Sequence, residues 1–265
     1  MTNPAGSFIW YELMSPDPDA AKAFYDNVVG WTIAPESPGD DMDYRMIARS
    51  DGGNAGGVLR LTDDMQAHGA RPLWLAYFYT ADVDAAARAI EADGGKVQMP
   101  PHALDGVGRF AMLTDPQGVP FYIMNPTPPP GMEGMASDVF SPSAVQRVSW
   151  NELASPDLAA SKAFYAKHFG FEFNQVMNMG PMGDYCFIDH GGQQLGAIMQ
   201  RQDERQPAVW LFYFRVPSVA AGKAAIEAAG GTVLMGPHQV PTGDWIVLAT
   251  DPHGAGFGLV GPKGD

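Results

Sequence analysis

The spacing of apolar residues along the chain alternates between two periods, one typical of strands and one typical of helices. The stretch FIWYELM (8–14) alternates with the two-residue period of a strand, so that Trp10 and Glu12 share one face. In the next stretch (15–30), Asp17 precedes a proline, as at a helix start, and apolar residues then recur at helical spacing. Three short strands follow in WTIAPE, YRMIARSD and AGGVLRL. The pattern predicts a β-α-β-β-β module.

The same module recurs three more times. A strand, a helix and three strands are predicted again between residues 73 and 126. The second half of the chain then repeats the first. The matching segments are 10–31 with 150–171, 73–102 with 209–238, and 108–126 with 244–262. Such a repeat is typical of a duplicated domain, so the sequence predicts an α+β chain of four modules.

The predicted domain boundaries follow from these repeats. Domain 1 is expected to span residues 1–126 and domain 2 residues 145–265. Residues 127–144 are rich in proline, which fixes the backbone and removes hydrogen-bond donors, so they are predicted to form an extended linker. This linker would let the second half lie beside the first or exchange elements with it. The two halves are thus compatible with packing as an intramolecular pseudo-dimer. The sequence leaves both arrangements open.

Composition narrows the class of protein. The 265 residues are 46% hydrophobic and 17% charged, as in globular proteins, and carry a net charge of −14. That charge argues against a nucleic-acid partner and against an anionic membrane surface, because both require a basic face. The lone Cys186 lies in an alternating apolar stretch and is predicted to be a buried strand residue. With no signal peptide or membrane-spanning run visible, the expected location is the cytoplasm.

Three motifs carry a resemblance to a known family. They are the unit SPD..A.KAFY...FG, the stretch DVDAA...I...GG.V and the final F...DP.G..F.L. Together they resemble the vicinal oxygen chelate superfamily, which includes glyoxalase I, extradiol dioxygenases, and fosfomycin- and bleomycin-resistance proteins. The resemblance covers nearly the whole chain and is greatest to tandem glyoxalase-like proteins. It implies two glyoxalase-like domains, each with eight strands from two modules around a cavity.

The resemblance also indicates where metal ligands would stand. In metal-dependent members, the cavity holds a divalent ion on His, Glu or Gln side chains. Here the first-strand position holds Trp10 and Trp150, whose indole nitrogen is a donor only and cannot bind a metal. The other usual positions hold Tyr122, Gly258, Leu75 and Leu211. We therefore predict no metal or other cofactor, although the fold is compatible with a divalent ion held in another way.

Glu12 and Glu152 lie two residues after these tryptophans and share their strand face, toward the implied cavity. A carboxylate in a half-buried position needs a partner. One interpretation makes each glutamate a general base that removes a proton from the carbon next to a carbonyl. The other makes each a structural carboxylate that binds backbone donors or an arginine such as Arg45, Arg109 or Arg215. Both interpretations remain open.

Matching aromatic and histidine residues complete the candidate ligand site. Tyr77 and Tyr213 correspond across the two copies and are predicted to face the cavity, while His102 and His238 correspond at its predicted rim. The predicted lining is aromatic and mostly apolar, which suits a planar small molecule. The candidate ligand-binding residues are Trp10, Tyr77, His102, Tyr122, Trp150, Tyr213 and His238.

Three functions fit these observations. The first is a metal-independent binder of a small molecule, of the sequestering or resistance type. The second is a glyoxalase-type lyase or isomerase that acts on a carbonyl compound, with Glu12 or Glu152 as base. The third is a scaffold without catalysis, in which the cavities have decayed. The missing metal ligands favour the first, and the glutamates keep the second open, because fold alone does not decide function.

Overall fold

The computed structural model describes residues 3–39, 42–128, 130–131 and 133–265. It contains the four predicted β-α-β-β-β modules. Module 1 consists of β1 (Phe8–Ser15), α1 (Pro18–Val28), β2 (Thr32–Ile33), β3 (Tyr44–Ala48) and β4 (Asn54–Arg60). A short helix that the sequence did not reveal, α2 (Asp63–Ala67), leads to module 2. Module 2 consists of β5 (Leu73–Tyr79), α3 (Val83–Ala92), β6 (Lys96–Leu104), β7 (Gly108–Thr114) and β8 (Pro120–Pro126).

The second half of the chain repeats this order. Module 3 consists of β9 (Val148–Ser155), α4 (Leu158–Phe169), β10 (Val176–Asn178), β11 (Asp184–His190) and β12 (Gln193–Gln200), with a single 3-10 turn at Gly180–Met182. Module 4 consists of β13 (Trp210–Arg215), α5 (Val219–Ala228), β14 (Thr232–Gln239), β15 (Trp245–Thr250) and β16 (Gly256–Gly261). The predicted α+β class and the four modules are confirmed.

Each module begins its long helix in the same way. The side chains of Asp17, Asp82, Asp157 and Ser218 accept a hydrogen bond from the backbone N–H three residues later. Such a cap satisfies one of the N–H groups that the first helical turn leaves without a partner. The N-cap Asp17 was predicted from the sequence, and the capping residues at the other three helices show the same signal.

In the described ranges, sixteen strands form two eight-stranded mixed sheets. The strand order is β2-β3-β4-β1-β5-β8-β7-β6 in one and β10-β11-β12-β9-β13-β16-β15-β14 in the other. Within each module the first strand runs parallel to the fourth, as β1 does to β4 and β9 to β12, and the remaining neighbours are antiparallel. The identical order confirms the duplication at the level of topology.

One compact unit comprises Met1–Trp10, Ala76–Asp138 and Trp150–Trp210 and therefore joins module 2 to module 3. Its core is aromatic: the Phe78 ring lies 4.3 Å from that of Phe169 and 4.7 Å from that of Phe8. At its centre, the buried Tyr165 hydroxyl donates to Asp115 Oδ2 (3.3 Å) and accepts from Trp210 Nε1 (3.1 Å). Asp115 Oδ1 accepts from two backbone N–H groups of its own turn.

The other compact unit comprises Tyr11–Leu75, Val139–Ser149 and Leu211–Asp265, and it joins module 1 to module 4. Here the buried Tyr25 hydroxyl donates to Asp251 Oδ2 (3.2 Å) and accepts from Trp74 Nε1 (2.9 Å). The Phe214 ring packs at 4.7 Å from Trp31 and 4.8 Å from Trp74. We call each of these tyrosine–aspartate–tryptophan sets a clasp; one clasp is Tyr165, Asp115 and Trp210, and the other is Tyr25, Asp251 and Trp74.

The clasps explain two of the repeated motifs. The tyrosine comes from the KAFY motif on the helix, and the aspartate begins the DPxG turn of a module from the other half of the sequence. Aspartate at the first, proline at the second and glycine at the fourth position favour a type I turn, and both stretches close as turns: Gly118 N–H donates to Asp115 O and Gly254 N–H to Asp251 O, each at 3.0 Å. Because each unit takes one module from each half, the observed composition fits the expected intramolecular pseudo-dimer.

The segment 127–144 contains no helix or strand among its described residues. It is nevertheless held in place, since Ser137 Oγ donates to Ile9 O at 2.8 Å and Phe140 forms a bridge with Val148. In the described parts of the chain, none of the helices is both long and apolar enough to cross a membrane.

Candidate functional site

The clearest candidate site lies on one face of the module 3 strands. Residues paired directly across neighbouring strands point to the same side of a sheet, so the register identifies this face. Glu152 pairs with Ala197, which pairs with Phe187, and in the next row Met199 pairs with Tyr185, which pairs with Met177. The face also carries Trp150, because its indole reaches Tyr185. We call this surface the relay face. It comprises Trp150, Glu152, Met177, Tyr185, Phe187 and Met199.

Three polar groups on the relay face form one hydrogen-bonded chain. Trp150 Nε1 donates to the Tyr185 hydroxyl oxygen at 2.8 Å, and that hydroxyl donates to Glu152 Oε2 at 2.6 Å. The Phe187 ring packs edge-on against both Trp150 and Tyr185, at centroid distances of 6.0 and 5.5 Å. All four side chains are half-buried. These hydrogen bonds thus hold the partly exposed glutamate in a fixed orientation.

The environment keeps Tyr185 protonated. Burial raises the pKa of its phenol well above the usual value, and the neighbouring Glu152 charge and its hydrogen bond raise the pKa further. Because its raised pKa keeps the phenol protonated at neutral pH, Tyr185 cannot serve as a base and acts here as a hydrogen-bond link. Proton abstraction on this face would fall to the Glu152 carboxylate.

The corresponding face of module 1 is more closed. Glu12 is only 1% exposed, whereas its counterpart Glu152 is half-buried. Glu12 pairs with Gly57 on β4, where module 3 has an alanine. Gly57 leaves room for Tyr44, the counterpart of Tyr185: a Cβ added at Gly57 would overlap the Tyr44 hydroxyl. Trp10, at the start of the same strand, is half-buried.

Module 2 brings together three of the predicted aromatic and histidine residues. The rings of Tyr77 and Tyr122 are stacked, with centroids 4.2 Å apart and planes 10° apart, and both residues are buried. Phe110 lies 6.4 and 6.3 Å from these two rings, and His102 packs against Phe110 at 4.2 Å. Tyr77, Tyr122 and His102 therefore belong to one aromatic cluster.

Module 4 differs from module 2 at the equivalent place. Tyr213 pairs with Gly258 where Tyr77 pairs with Tyr122. A Cβ added at Gly258 would overlap the Tyr213 ring, so Tyr213 lies flat over the glycine. The ring of Tyr213 therefore occupies part of the space that a side chain at position 258 would fill. His238 is exposed on β14, opposite Ile246, and the structure does not join it to Tyr213.

The three arginines considered as partners for the glutamates bind aspartates. Arg45 contacts Asp43 and Asp19, at 2.9 and 2.6 Å. Arg109 makes a bidentate pair with Asp84, with both distances 2.6 Å, and Arg215 makes one with Asp244, at 2.8 and 3.0 Å. Glu152 instead accepts a hydrogen bond from the hydroxyl of Tyr185.

The donor set does not fit the divalent metal of the metal-dependent relatives. The positions indicated by the resemblance hold tryptophan, tyrosine, leucine and glycine, none of which supplies an imidazole or carboxylate ligand. Among the described residues, no group of three or more His, Cys, Asp or Glu side chains is arranged to hold an ion. We therefore derive no chemical step through a metal.

Comparison with known proteins agrees with this fold. The model of one family, the Glyoxalase/Bleomycin resistance protein/Dioxygenase superfamily, matches residues 7–123 and again residues 147–259. The chain belongs to this superfamily. Two copies of a superfamily domain in one chain confirm the predicted tandem organisation.

Relatives within the superfamily extend over nearly the whole chain. The Mycobacterium tuberculosis protein named "Putative glyoxylase CFP32" is 37% identical over 259 residues, which cover 96% of this chain and 94% of the relative. The anthracycline biosynthesis protein DauV of Streptomyces sp. is 28% identical over 269 residues, with 96% and 93% covered.

Solved superfamily structures share the architecture. The Mn(II)-bound glyoxalase from Novosphingobium aromaticivorans is 19% identical, with a TM-score of 0.63 over 99% of this chain and 83% of its own. Homoprotocatechuate 2,3-dioxygenase from Brevibacterium fuscum, as its E323L mutant, has a TM-score of 0.66 at 14% identity, with 98% and 73% covered. At these identities the likeness shows the fold alone.

Four residues of the relay face were missed from the sequence: Met177, Tyr185, Phe187 and Met199. A signal for two of them was present, because DYCFIDH alternates and buries Cys186 and Ile188 on the opposite face. The buried position predicted for Cys186 is confirmed. The residues themselves could not be linked to Glu152, since cross-strand register is not written in the sequence.

Proposed function

We propose that this chain is a metal-independent binding protein for a planar, mostly apolar small molecule, and that the ligand contacts the relay face. The observation that carries the proposal is the half-buried Glu152, fixed by Tyr185 and Trp150 among aromatic and thioether side chains. Few polar groups on a mostly apolar surface are typical of small-molecule sites. Met177 and Met199 add flexible, polarisable surface that adapts to a flat ligand.

The relatives support a planar polycyclic ligand. DauV and the Streptomyces peucetius protein DnrV, 29% identical to this chain, are both named as anthracycline biosynthesis proteins. An anthracycline carries a flat fused-ring system, which stacks well on an indole or phenyl ring. We therefore propose a fused-ring aromatic compound as the ligand class, with sequestration as the role.

The two copies of the domain are not expected to contribute equally. Glu12 is 1% exposed, so its carboxylate offers a ligand much less surface than the half-buried Glu152. The relay face should therefore hold the dominant site, with one ligand bound per chain. Calorimetry that gave two equal and independent sites per chain would contradict this asymmetry.

The proposal is tested by titrating the protein into an anthracycline such as doxorubicin and following the drug's own fluorescence anisotropy. We expect saturable binding that Trp150→Ala weakens at least tenfold. Phe173→Ala, which removes a half-buried aromatic ring beside Lys162 in the same module, is the matched control and should bind as the wild type does. If neither doxorubicin nor any smaller fused-ring probe binds, the proposed function is wrong.

A second function is favoured by the geometry of Glu152. A carboxylate held in one orientation by a 2.6 Å hydrogen bond is suited to remove a proton from carbon next to a carbonyl. The mycobacterial relative's name, a glyoxylase, points in the same direction. Incubation with methylglyoxal in heavy water would show faster deuterium incorporation than without protein, and Glu152→Gln would abolish the difference. No acceleration by the wild type would leave binding as the function.

A further inference from the structure

We infer that the relay face selects ligands that donate a hydrogen bond, such as phenols and alcohols, and rejects carboxylates and other anions. This inference deepens the proposed function and rests on it. It follows from the direction of each hydrogen bond in the chain Trp150–Tyr185–Glu152, together with the charge at its end.

Trp150 fixes which group donates and which accepts in each of these hydrogen bonds. An indole Nε1–H can only donate, so the Tyr185 oxygen is the acceptor in the 2.8 Å contact. The single hydroxyl hydrogen of Tyr185 is then directed at Glu152 Oε2, 2.6 Å away. Neither the indole hydrogen nor the phenol hydrogen is left to point at a ligand.

The polar atoms that the relay face presents are consequently acceptors. A carboxylate can only accept, and with roughly four lone-pair directions it can bind several donors at once, Tyr185 among them. The Tyr185 oxygen has a second lone pair, and the two thioether sulfurs are weak acceptors. A ligand bound flat against Trp150 and Phe187 must therefore supply the hydrogen itself if it is to form a hydrogen bond here.

The negative charge of Glu152 also disfavours anionic ligands. A negative group on the ligand would lie beside the Glu152 carboxylate in a half-buried place, where like charges repel more strongly than in water. The net charge of −14 adds a general disadvantage for anions. Hydrogen bonds to charged groups are also stronger than neutral ones, so a donor placed at Glu152 is favoured more than an ordinary polar contact.

The test uses three probes with the same flat ring system: 2-naphthol, which donates, 2-methoxynaphthalene, which does not, and 2-naphthoate, which is an anion. Affinities are measured by displacement of doxorubicin and, where solubility allows, by calorimetry. For the wild type, we expect the affinity for naphthol to be at least about tenfold higher than that for the ether, which corresponds to the free energy of a hydrogen bond to a charged group. Naphthoate should bind more weakly than the ether.

Glu152→Gln gives the decisive comparison. The amide has the same shape, but it lacks the charge and brings a donor, so the naphthol-to-ether ratio should fall to about threefold or less and naphthoate should improve. Glu204→Gln changes an exposed glutamate in the loop after β12; it is the control and should keep the wild-type ratio. Equal affinity of wild-type protein for naphthol and the ether, or naphthoate as the tightest probe, would overturn the inference while leaving a binding function intact.

A second measurement needs no variant. As the pH rises through the pKa of free 2-naphthol, the probe loses its hydrogen and becomes an anion, so its affinity should fall while that of the ether stays constant. Parallel pH profiles for the two probes would contradict the inference. If none of the three probes and no anthracycline binds, it is the proposed function itself that has failed.

Discussion

Glu12 and Glu152 show how duplicated residues come to differ. They occupy the same place in their modules, yet one is 1% exposed and the other half-buried. The neighbouring strand has Gly57 in one copy and Ala197 in the other, and the glycine lets Tyr44 lie over the strand beside Glu12. A change of one methyl group on an adjacent strand thus accompanies a change from a half-buried to a fully buried glutamate.

A first prediction concerns this pair. Glu152→Gln should weaken ligand binding by roughly tenfold or more, because a hydrogen bond to a charged group is lost, while the thermal unfolding midpoint changes little. The amide can still accept the bond from Tyr185, so the fold keeps its contact. Glu12→Gln should leave ligand affinity unchanged in the folded protein. Calorimetry and thermal unfolding on both variants check this, and a loss of affinity in Glu12→Gln alone would assign the site to module 1.

A second prediction concerns ionisation of the tyrosines. Burial raises the pKa of Tyr25, Tyr165 and Tyr185 well above the ordinary value of about 10. The unfolded chain then releases these protons first, so the stability they contribute is complete below pH 10 and is lost as the pH rises further. In a phenolate absorbance titration, we expect at least three of the nine tyrosines to stay protonated until the protein unfolds.

The outcome that contradicts this is ionisation of all nine tyrosines with native circular dichroism retained. As a control, the double variant Tyr25→Phe/Tyr165→Phe should lose stability less steeply above pH 10 than the wild type. It lacks two of the three phenol protons whose release is coupled to unfolding.

At the scale of elements, periodicity and capping residues were enough to place the strands and long helices of all four modules. Phe24, one of the apolar residues at helical spacing in α1, is 1% exposed. Periodicity does not show which helix packs against which turn. The KAFY tyrosine and the DPxG aspartate are 226 residues apart in one clasp and 50 in the other, and only the folded chain joins them. The relay face was hidden for the same reason, since four separate strands build it.

A third prediction follows from the clasps. Tyr165→Phe removes the hydroxyl between Trp210 Nε1 and Asp115 Oδ2, all in residues that are at most 2% exposed. A buried polar group left without its partner costs about 1–3 kcal/mol, and we expect a loss of that size in the free energy of unfolding. Urea unfolding measures it. The half-buried Tyr79→Phe serves as the control, and an equally small change in both variants would show that the clasp adds nothing.

At the scale of the whole molecule, the family, the tandem duplication and the fold were all accessible from the sequence. The predicted boundaries 1–126, 127–144 and 145–265 describe the repeat in the sequence, and they stay a prediction for domains. The compact units are composed differently, because each takes modules from both halves. Sequence similarity records how the chain was duplicated, whereas packing depends on which apolar faces fit together.

A fourth prediction concerns metal. The donor positions implied by the family hold no imidazole or carboxylate, so we expect protein purified without chelator to carry far less than one equivalent of any divalent ion per domain. Elemental analysis by mass spectrometry checks this. Near-stoichiometric zinc, nickel, iron or manganese would contradict it, and loss of that metal in Glu152→Gln would then identify an unexpected ligand.

The two clasps give the linker a role beyond connection. Each compact unit closes through a helix from one half and a turn from the other, so severing the chain between residues 127 and 144 would not release two finished domains. It would release two fragments that must find each other in solution, and the intact linker replaces that encounter by a high effective concentration. The protein is therefore a natural candidate for fragment complementation, in which reassembly of the two fragments restores both cores at once.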